Sequence, residues 1–297
     1  MPALKKGDRI GAVAPASPFD RDQFFAGRKI LEDMGFAVVY ADDIFNREGY
    51  VAGTDVHRLA MLHEMFADST IQAVWCARGG YGSMRLLPYL DIKAIRKNPK
   101  LFIGSSDITA LLNFLCARCG MITLHGPMIT TLARADEQSI QSLADAVTGG
   151  RPIAVSADSL ETIVAGRATG PVAGGNLTTL AHLMGTPFFP DLTGAIVFLE
   201  DIGEKPYRID RMLTQLFFSG SLDRAAGICL GTYHNCGEKK EMLTVFKDRL
   251  SQLPIPVAAG FPVGHGPSSR TLAFGLEAQL DAVNGTLCYT ESAVVSA

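Results

Sequence analysis

The segment Lys100-Leu-Phe-Ile-Gly104-Ser105-Ser106-Asp107-Ile108-Thr109 runs from an apolar stretch through small residues straight into a helical pattern. A sharp strand-to-helix turn of this kind lifts one hydroxyl above a sheet. It also leaves the next backbone N–H, at the positive end of the helix, free to hold an oxyanion. The chemistry that suits it is acyl transfer to a serine. The Gly-x-Ser-x-Gly form is half met, because Ile108 stands where the second glycine would be. Ser105, Ser106 and Asp107 are equally the residue types that cap helices, so the pattern alone leaves nucleophile and cap both open.

Arg78-Gly79-Gly80-Tyr81-Gly82 follows another apolar run. It lacks the Gly-Lys-Ser/Thr of a phosphate loop and the full dinucleotide fingerprint. It is better read as a Gly-rich turn whose exposed N–H groups beside the elbow supply the second half of an oxyanion hole, with an ordinary tight βα turn as the alternative. A serine also needs a base, and the six histidines are 57, 63, 125, 182, 234 and 265. His125 and His234 follow apolar runs, and His265 lies between glycines in Gly264-His265-Gly266-Pro267. A base in turn needs an acid to orient it. The apolar run Ala195-Ile-Val-Phe-Leu ends in Glu200-Asp201, either of which reaches a strand-end site unless both cap the next turn or pair with Arg208 and Arg211. Neither His-Glu-x-x-His nor paired Cys-x-x-Cys spacing occurs, so a zinc site is not expected.

The elements that must position these groups are legible as periodicity. Continuous apolar runs at 10–14, 36–40, 71–76, 101–104 and 121–124 predict buried strands, and helical patterns at 20–34, 55–67 and 107–118 lie between them. The alternation implies an α/β fold with a parallel sheet flanked by helices, whose function sits at the carboxyl ends of its strands. Residues 149–175 are rich in Gly, Pro, Ser and Thr. They divide the chain into an N-terminal α/β domain (1–150), a linker (151–165) and a C-terminal mixed α+β domain (166–297) containing a small β-barrel or sheet. The tail predicts three short antiparallel strands at 271–274, 278–282 and 286–290, with a turn at Asn284-Gly285.

Composition bounds the partners. The 297 residues are 47% hydrophobic and 19% charged, which excludes disorder, and 27 Lys+Arg against 30 Asp+Glu argue against nucleic acid as a partner. No apolar run approaches the roughly 20 residues of a membrane span, and the charged start, Met-Pro-Ala-Leu-Lys-Lys-Gly-Asp, is not that of a signal peptide. A cytoplasmic location is the expectation. The six scattered cysteines read as reduced thiols. Cys116-Ala-Arg-Cys119 falls late in a helix, where a thiolate gains nothing from the dipole.

Together these segments resemble the LD-carboxypeptidase family of serine peptidases, which includes murein tetrapeptide carboxypeptidases and microcin C self-immunity peptidases. The resemblance spans nearly the whole chain. It rests on Ala14-Pro15-Ala16-Ser17-Pro18, Arg78-Gly79-Gly80-Tyr81-Gly82, Gly104-Ser105-Ser106-Asp107-Ile108-Thr109, His125-Gly126-Pro127, Gly174-Gly175-Asn176-Leu177, Leu199-Glu200-Asp201 with Pro206-Tyr207-Arg208-Ile209-Asp210-Arg211, and Gly264-His265-Gly266. It implies a flavodoxin-like N-terminal sheet and a triad of Ser106, Glu200 and His265, with the N–H groups of Asp107 and Gly80 binding the oxyanion and no metal or cofactor required. The implied substrate is a cytoplasmic muropeptide that loses its C-terminal D-alanine, with Arg78, Asn176 and Arg208 as candidates to bind it. Ser105 stands where the family usually has an aromatic residue. Cleavage of an aspartyl-nucleotide amide and non-catalytic muropeptide binding are the alternatives, and a homodimer is left open.

Overall fold

Alternating buried strands and amphipathic helices build the first sheet. The computed structural model describes residues 1–149 and 151–295. Strands β1 (Arg9–Val13), β2 (Ala37–Val39), β3 (Ile71–Cys76), β4 (Leu101–Gly104) and β5 (Thr123–His125) run parallel in the order β5-β4-β3-β1-β2. This is the flavodoxin-like order expected, with its reversal between β1 and β3. Helices α1 (Arg21–Asp33), α2 (Asp55–Ala67), α3 (Ile92–Lys97), α4 (Thr109–Cys119), α5 (Ile129–Leu132) and α6 (Glu137–Thr148) complete this half. Asp20, Thr54, Asp91 and Asp136 start four of them, each side chain accepting a bond from a first-turn N–H. α4 stops at Gly120, which takes the left-handed conformation. Burial pushes the thiols of Cys116 and Cys119 up, so neither is a poised thiolate.

The second sheet has eight strands: β6 (Ala154–Ser156), β7 (Glu161–Val164), β8 (Arg167–Asn176), β9 (Ile196–Ile202), β10 (Gly227–His234), β11 (Val257–Ala259), β13 (Glu277–Asp281) and β14 (Thr286–Tyr289). β8 to β11 are parallel and covered by α7 (Leu177–Leu183), α8 (Pro206–Phe218) and α9 (Lys239–Leu250), which share an apolar core including Leu180, Leu213, Leu230 and Phe246. β13 and β14 form the expected antiparallel hairpin around Asn284-Gly285.

Two expectations change. The stretch 151–165, expected as the linker between the halves, carries the short strands β6 and β7, which take opposite edges of the second sheet. Only residues 157–160 separate these strands, so the sheet has to curl until its edges approach. Ala157 N–H accordingly donates to Gly285 O (2.8 Å) at one edge and Asp158 N–H to Gly260 O (3.0 Å) at the other. The second change concerns the tail. Strand β12 (Leu272–Phe274) leaves the tail strands and pairs antiparallel with β5, becoming the sixth strand of the first sheet. Its side chains are fully buried there, which supplies β5 with the backbone partner a buried strand edge requires.

The halves also meet through α4. Asn113 Nδ2 donates to Gly174 O (2.7 Å) and its Oδ1 accepts from Gly174 N–H (3.1 Å), while Thr109 Oγ1 accepts from Asn176 N–H (2.9 Å). A Cβ on Gly175 would come within 2.5 Å of Thr109 Oγ1, so only glycine permits this approach. Among the described residues no helix is long and apolar enough to cross a membrane.

Because β12 belongs to the first sheet, residues 1–155 expressed alone should leave β5 as a bare apolar edge and elute as an aggregate without turnover. Size-exclusion chromatography with an activity assay checks this; a monomeric, active fragment would contradict the sheet order.

Candidate active site

At the elbow, β4 ends at Gly104, Ser105 is extended (φ −155°), and Ser106 opens a single 3₁₀ turn (Ser106–Ile108) that leads into α4. Ser106 has φ +62°, and among the described residues Asn235 is the other non-glycine with positive φ. Such a conformation costs about 1–3 kcal/mol and persists where the surroundings enforce it. The capping role open to these residues is not taken up by Ser105, whose side chain makes no cap bond. Asp107 instead ties the elbow sideways: its carboxylate accepts from Ser83 N–H (2.8 Å) and its carbonyl from Ser83 Oγ–H (2.6 Å). Burial raises the Asp107 pKa against these bonds.

The glycine-rich turn after β3 lies against Ser106. A Cβ on Gly79 would fall 2.8 Å from Ser106 Cβ and 3.2 Å from its Oγ. Ser17 fastens this turn, its N–H donating to Gly79 O (3.1 Å) and its Oγ accepting from Tyr81 N–H (3.0 Å). The buried Arg58 guanidinium donates to Gly82 O (2.9 Å) and to Pro15 O. The loop after β1 therefore acts as a support for the loop after β3. Among the described residues, the N–H groups of Asp107 and Gly80 donate to no group of the chain. Arg78 is exposed, its guanidinium donating to Pro18 O (2.7 Å).

On β9 the two carboxylates diverge. Glu200 is fully buried; its Oε2 accepts from His265 Nδ1 (2.7 Å) and from His265 N–H (3.1 Å), and its Oε1 from Asn176 Nδ2 (3.3 Å). Asp201 turns to the start of α7, where Oδ2 accepts from Thr178 N–H (2.9 Å) and Oγ1–H (2.8 Å), and Oδ1 from Asn176 Nδ2 (3.0 Å). The structure thus assigns Glu200 to the histidine and Asp201 to a helix. Asn176, a candidate for binding substrate, has its amide engaged within the protein: Oδ1 accepts from Thr179 N–H and Oγ1–H (both 2.9 Å) and Nδ2 donates to both carboxylates. Arg208 stays exposed in the first turn of α8, paired with Glu204 (3.2 Å).

Burial alone would raise the Glu200 pKa, but the charge and hydrogen bonds of His265, with a contribution from His125, hold it below the usual carboxylate range. Burial would lower His265, and the Glu200 charge and hydrogen bond outweigh it, so its pKa is raised. Thr232 Oγ1–H holds the loop by donating to His265 O (2.8 Å). With Nδ1 bound to Glu200, Nε2 is the ring's free nitrogen; among the described residues no hydrogen bond yet joins it to Ser106 Oγ, a separation common in unliganded sites. A chain of bonds nonetheless links them: Thr109, one turn beyond Ser106, binds Asn176, which binds Glu200, which binds His265.

The remaining histidines do other work: His63 Nε2 accepts from Asp91 N–H (3.0 Å) and the His182 ring binds Thr178 O (2.7 Å). Two cavities flank His265. A small one of about 60 Å³ includes Ser105, Met128 and Thr131, and a larger one of about 480 Å³ includes Tyr233, His234, Phe246 and Phe261. Among the described residues no three His, Cys, Asp or Glu side chains cluster as a metal site. The sequence reading missed the supports Arg58, Ser83, Thr109 and Asn113, which lie in plain helical or loop patterns. It also passed over the exposed Tyr50–Tyr81 pair (5.6 Å), although Tyr81 stands inside the glycine-rich motif.

An elbow serine, a buried Glu–His pair and spare backbone donors define the class of serine hydrolases. Residues 10–126 match the LD-carboxypeptidase N-terminal domain and residues 169–280 the LD-carboxypeptidase C-terminal domain. The chain is 39% identical over 295 residues to the Probable murein peptide carboxypeptidase of Bacillus subtilis, covering 96% of this chain and 92% of that protein. It superposes on the Microcin C7 self immunity protein MccF with a TM-score of 0.90 (27% identity, 99% of each chain). It also superposes on muramoyltetrapeptide carboxypeptidase from Oxalobacter formigenes with a TM-score of 0.85 (31% identity, 95% of this chain and 97% of that one). The chain belongs to the LD-carboxypeptidase family of serine peptidases.

Relief of the left-handed strain predicts that Ser106→Gly gains up to about 1 kcal/mol in chemical denaturation while losing turnover, whereas Ser105→Ala keeps most of it; an active Ser106→Gly would reassign the nucleophile. His265 has to be neutral to act as a base, so kcat/KM should rise with pH through a limb above the ordinary histidine value of 6.5. Glu200→Gln removes the charge that raises this pKa and leaves burial, which lowers it, so the limb should move down and kcat fall by about 10⁴-fold. An unmoved limb in the pH–rate profile would separate Glu200 from the base.

Proposed function

We propose that this enzyme removes the C-terminal D-alanine from a cytoplasmic murein tetrapeptide during peptidoglycan recycling, cleaving the bond after an L-centre. The observation that carries the reading is the 2.7 Å bond from His265 Nδ1 to buried Glu200, which fixes the tautomer with Nε2 free to face the strained Ser106.

In the mechanism that follows, His265 Nε2 takes the Ser106 proton as Oγ attacks the carbonyl carbon. The N–H groups of Asp107 and Gly80 donate to the oxyanion of the tetrahedral intermediate. Collapse breaks the C–N bond, and the same His265 proton goes to the departing amine of D-alanine. Water, deprotonated by His265, then attacks the acyl-serine; the C–Oγ bond breaks, His265 returns the proton to Ser106 Oγ, and the shortened peptide leaves. Glu200 remains ionised throughout and stabilises the imidazolium. Cleavage at a chain end requires recognition of a free carboxylate, for which a guanidinium suits. Arg78, on the turn that carries Gly80, is the first candidate, and Arg208 is the second.

A second reading, hydrolysis of an amide between an acidic residue and a nucleotide-like group, needs an aromatic face for the base. Trp75 cannot supply it, being fully buried with its Nε1–H donated to Pro127 O (2.9 Å). The exposed Tyr50–Tyr81 pair beside Gly80 is the feature that favours this reading.

Mass spectrometry after incubation with muropeptides ending in D-Ala or Gly, and with an aspartyl-nucleotide amide, should show loss of D-Ala from the tetrapeptide as the fastest reaction. Preferential release of the nucleotide would favour the second reading.

A further inference from the structure

The motif His125-Gly126-Pro127 has no part in the reaction as described. His125 ends β5 with no exposure, and neither of its ring nitrogens has a hydrogen-bond partner among the described residues. Its neighbours across the sheet are Gly104, two residues before Ser106, and Leu272 on β12. The ring stacks on Phe274 (5.7 Å, 23°) and meets Phe198 edge-on (5.1 Å, 68°). Phe198 and Glu200 are two residues apart on β9 and so point to the same face. The imidazole therefore packs on the carboxylate's side of the strand. Burial pushes its pKa down to about 4, so it is neutral wherever His265 can act as a base.

A phenylalanine would satisfy the stacking without burying two unpaired nitrogens, which implies that the polar edge has a task. Glu200 has capacity to receive it: Oε2 is taken twice by His265, while among the described residues Oε1 has only the long 3.3 Å contact from Asn176. Buried waters characteristically join such half-satisfied groups.

We infer that His125 is a positioning residue for the Glu200–His265 pair: its N–H, through one buried water, donates to Glu200 Oε1 and keeps the carboxylate ionised and aimed at Nδ1. This rests on the serine-peptidase reading of the site. The other titratable groups against the pair are Asp201 on β9, Tyr233 on β10 and Cys236 just beyond it. Asp201 is raised by burial and bound by Thr178 and Asn176. Burial pushes Tyr233 well above its usual range and Cys236 up to about 11, so both stay protonated near neutrality.

The test compares His125→Phe, which keeps the ring stack and loses the donor, with His125→Gln, which keeps an N–H and loses the stack. NMR titration of the His265 ring reads the effect without turnover. Deprived of a donor, Glu200 draws harder on the imidazolium, so in His125→Phe the His265 titration and the acid limb of kcat/KM should both move up by about one pH unit. kcat should fall roughly tenfold at unchanged KM, with thermal stability near wild type. In His125→Gln the His265 titration should stay at the wild-type value although the protein melts earlier. A His125→Phe enzyme that titrates and turns over like wild type, or a His125→Gln displaced as far as His125→Phe, would overturn the inference. Wild-type protein that cleaves none of the peptides would overturn the functional reading alone, since the titration does not depend on it.

Discussion

A carboxylate with no exposure to water has to be surrounded by donors before the chain around it can fold, because an unpaired buried charge costs several kcal/mol. Glu200 meets this requirement with groups from distant parts of the sequence: the ring and backbone N–H of His265 and the amide of Asn176. Each donor needs its own support. Gly264 comes so close that a Cβ there would sit 2.6 Å from Glu200 Oε2, so the loop carrying His265 is glycine-bound. Asn176 is oriented by Thr179 and docked onto α4 through Thr109, which ties the carboxylate to the helix that follows the turn of Ser106. This donor network joins the two sheets alongside the apolar core that they share.

Neighbouring residues on β9 show how the backbone distributes work. Glu200 and Asp201 have the same functional group, and alternation along the strand sends one toward His265 and the other toward the N-terminus of α7. At the helix, Asp201 accepts backbone and hydroxyl donors and favours the positive end of the dipole. Asn176 stands between the two carboxylates and gives one proton to each, so both anions share a single neutral donor.

Periodicity was enough to read the parallel half. The strand at 71–76 and the helix at 55–67 match their observed bounds, because each is a continuous apolar run or a clean amphipathic stripe between strong stop signals. The destination of β12 was not legible, since Leu272-Ala-Phe274 carries no mark distinguishing a partner in its own half from one in the other. The strands within 154–164 were hidden by Gly- and Pro-rich flanks and by their half-exposed, short segments. At the site, residue types marked the elbow, the carboxylate pair and the loop histidine. Choosing Glu200 over Asp201 required the facing of β9, and recognising Asn176 as internal required its partners, both of which are tertiary facts.

The placement of β12 bears on how the protein is made. A ribosome has to translate residue 274 and extrude it before the first sheet can gain its last strand, although the other five strands are complete by residue 125. Nascent chains will therefore carry β5 with an open flank through more than half of synthesis, a contact of high sequence separation that slows folding. The loop that carries His265 lies only seven residues ahead of β12, so the last strand of the first sheet and the histidine that binds Glu200 leave the ribosome almost together.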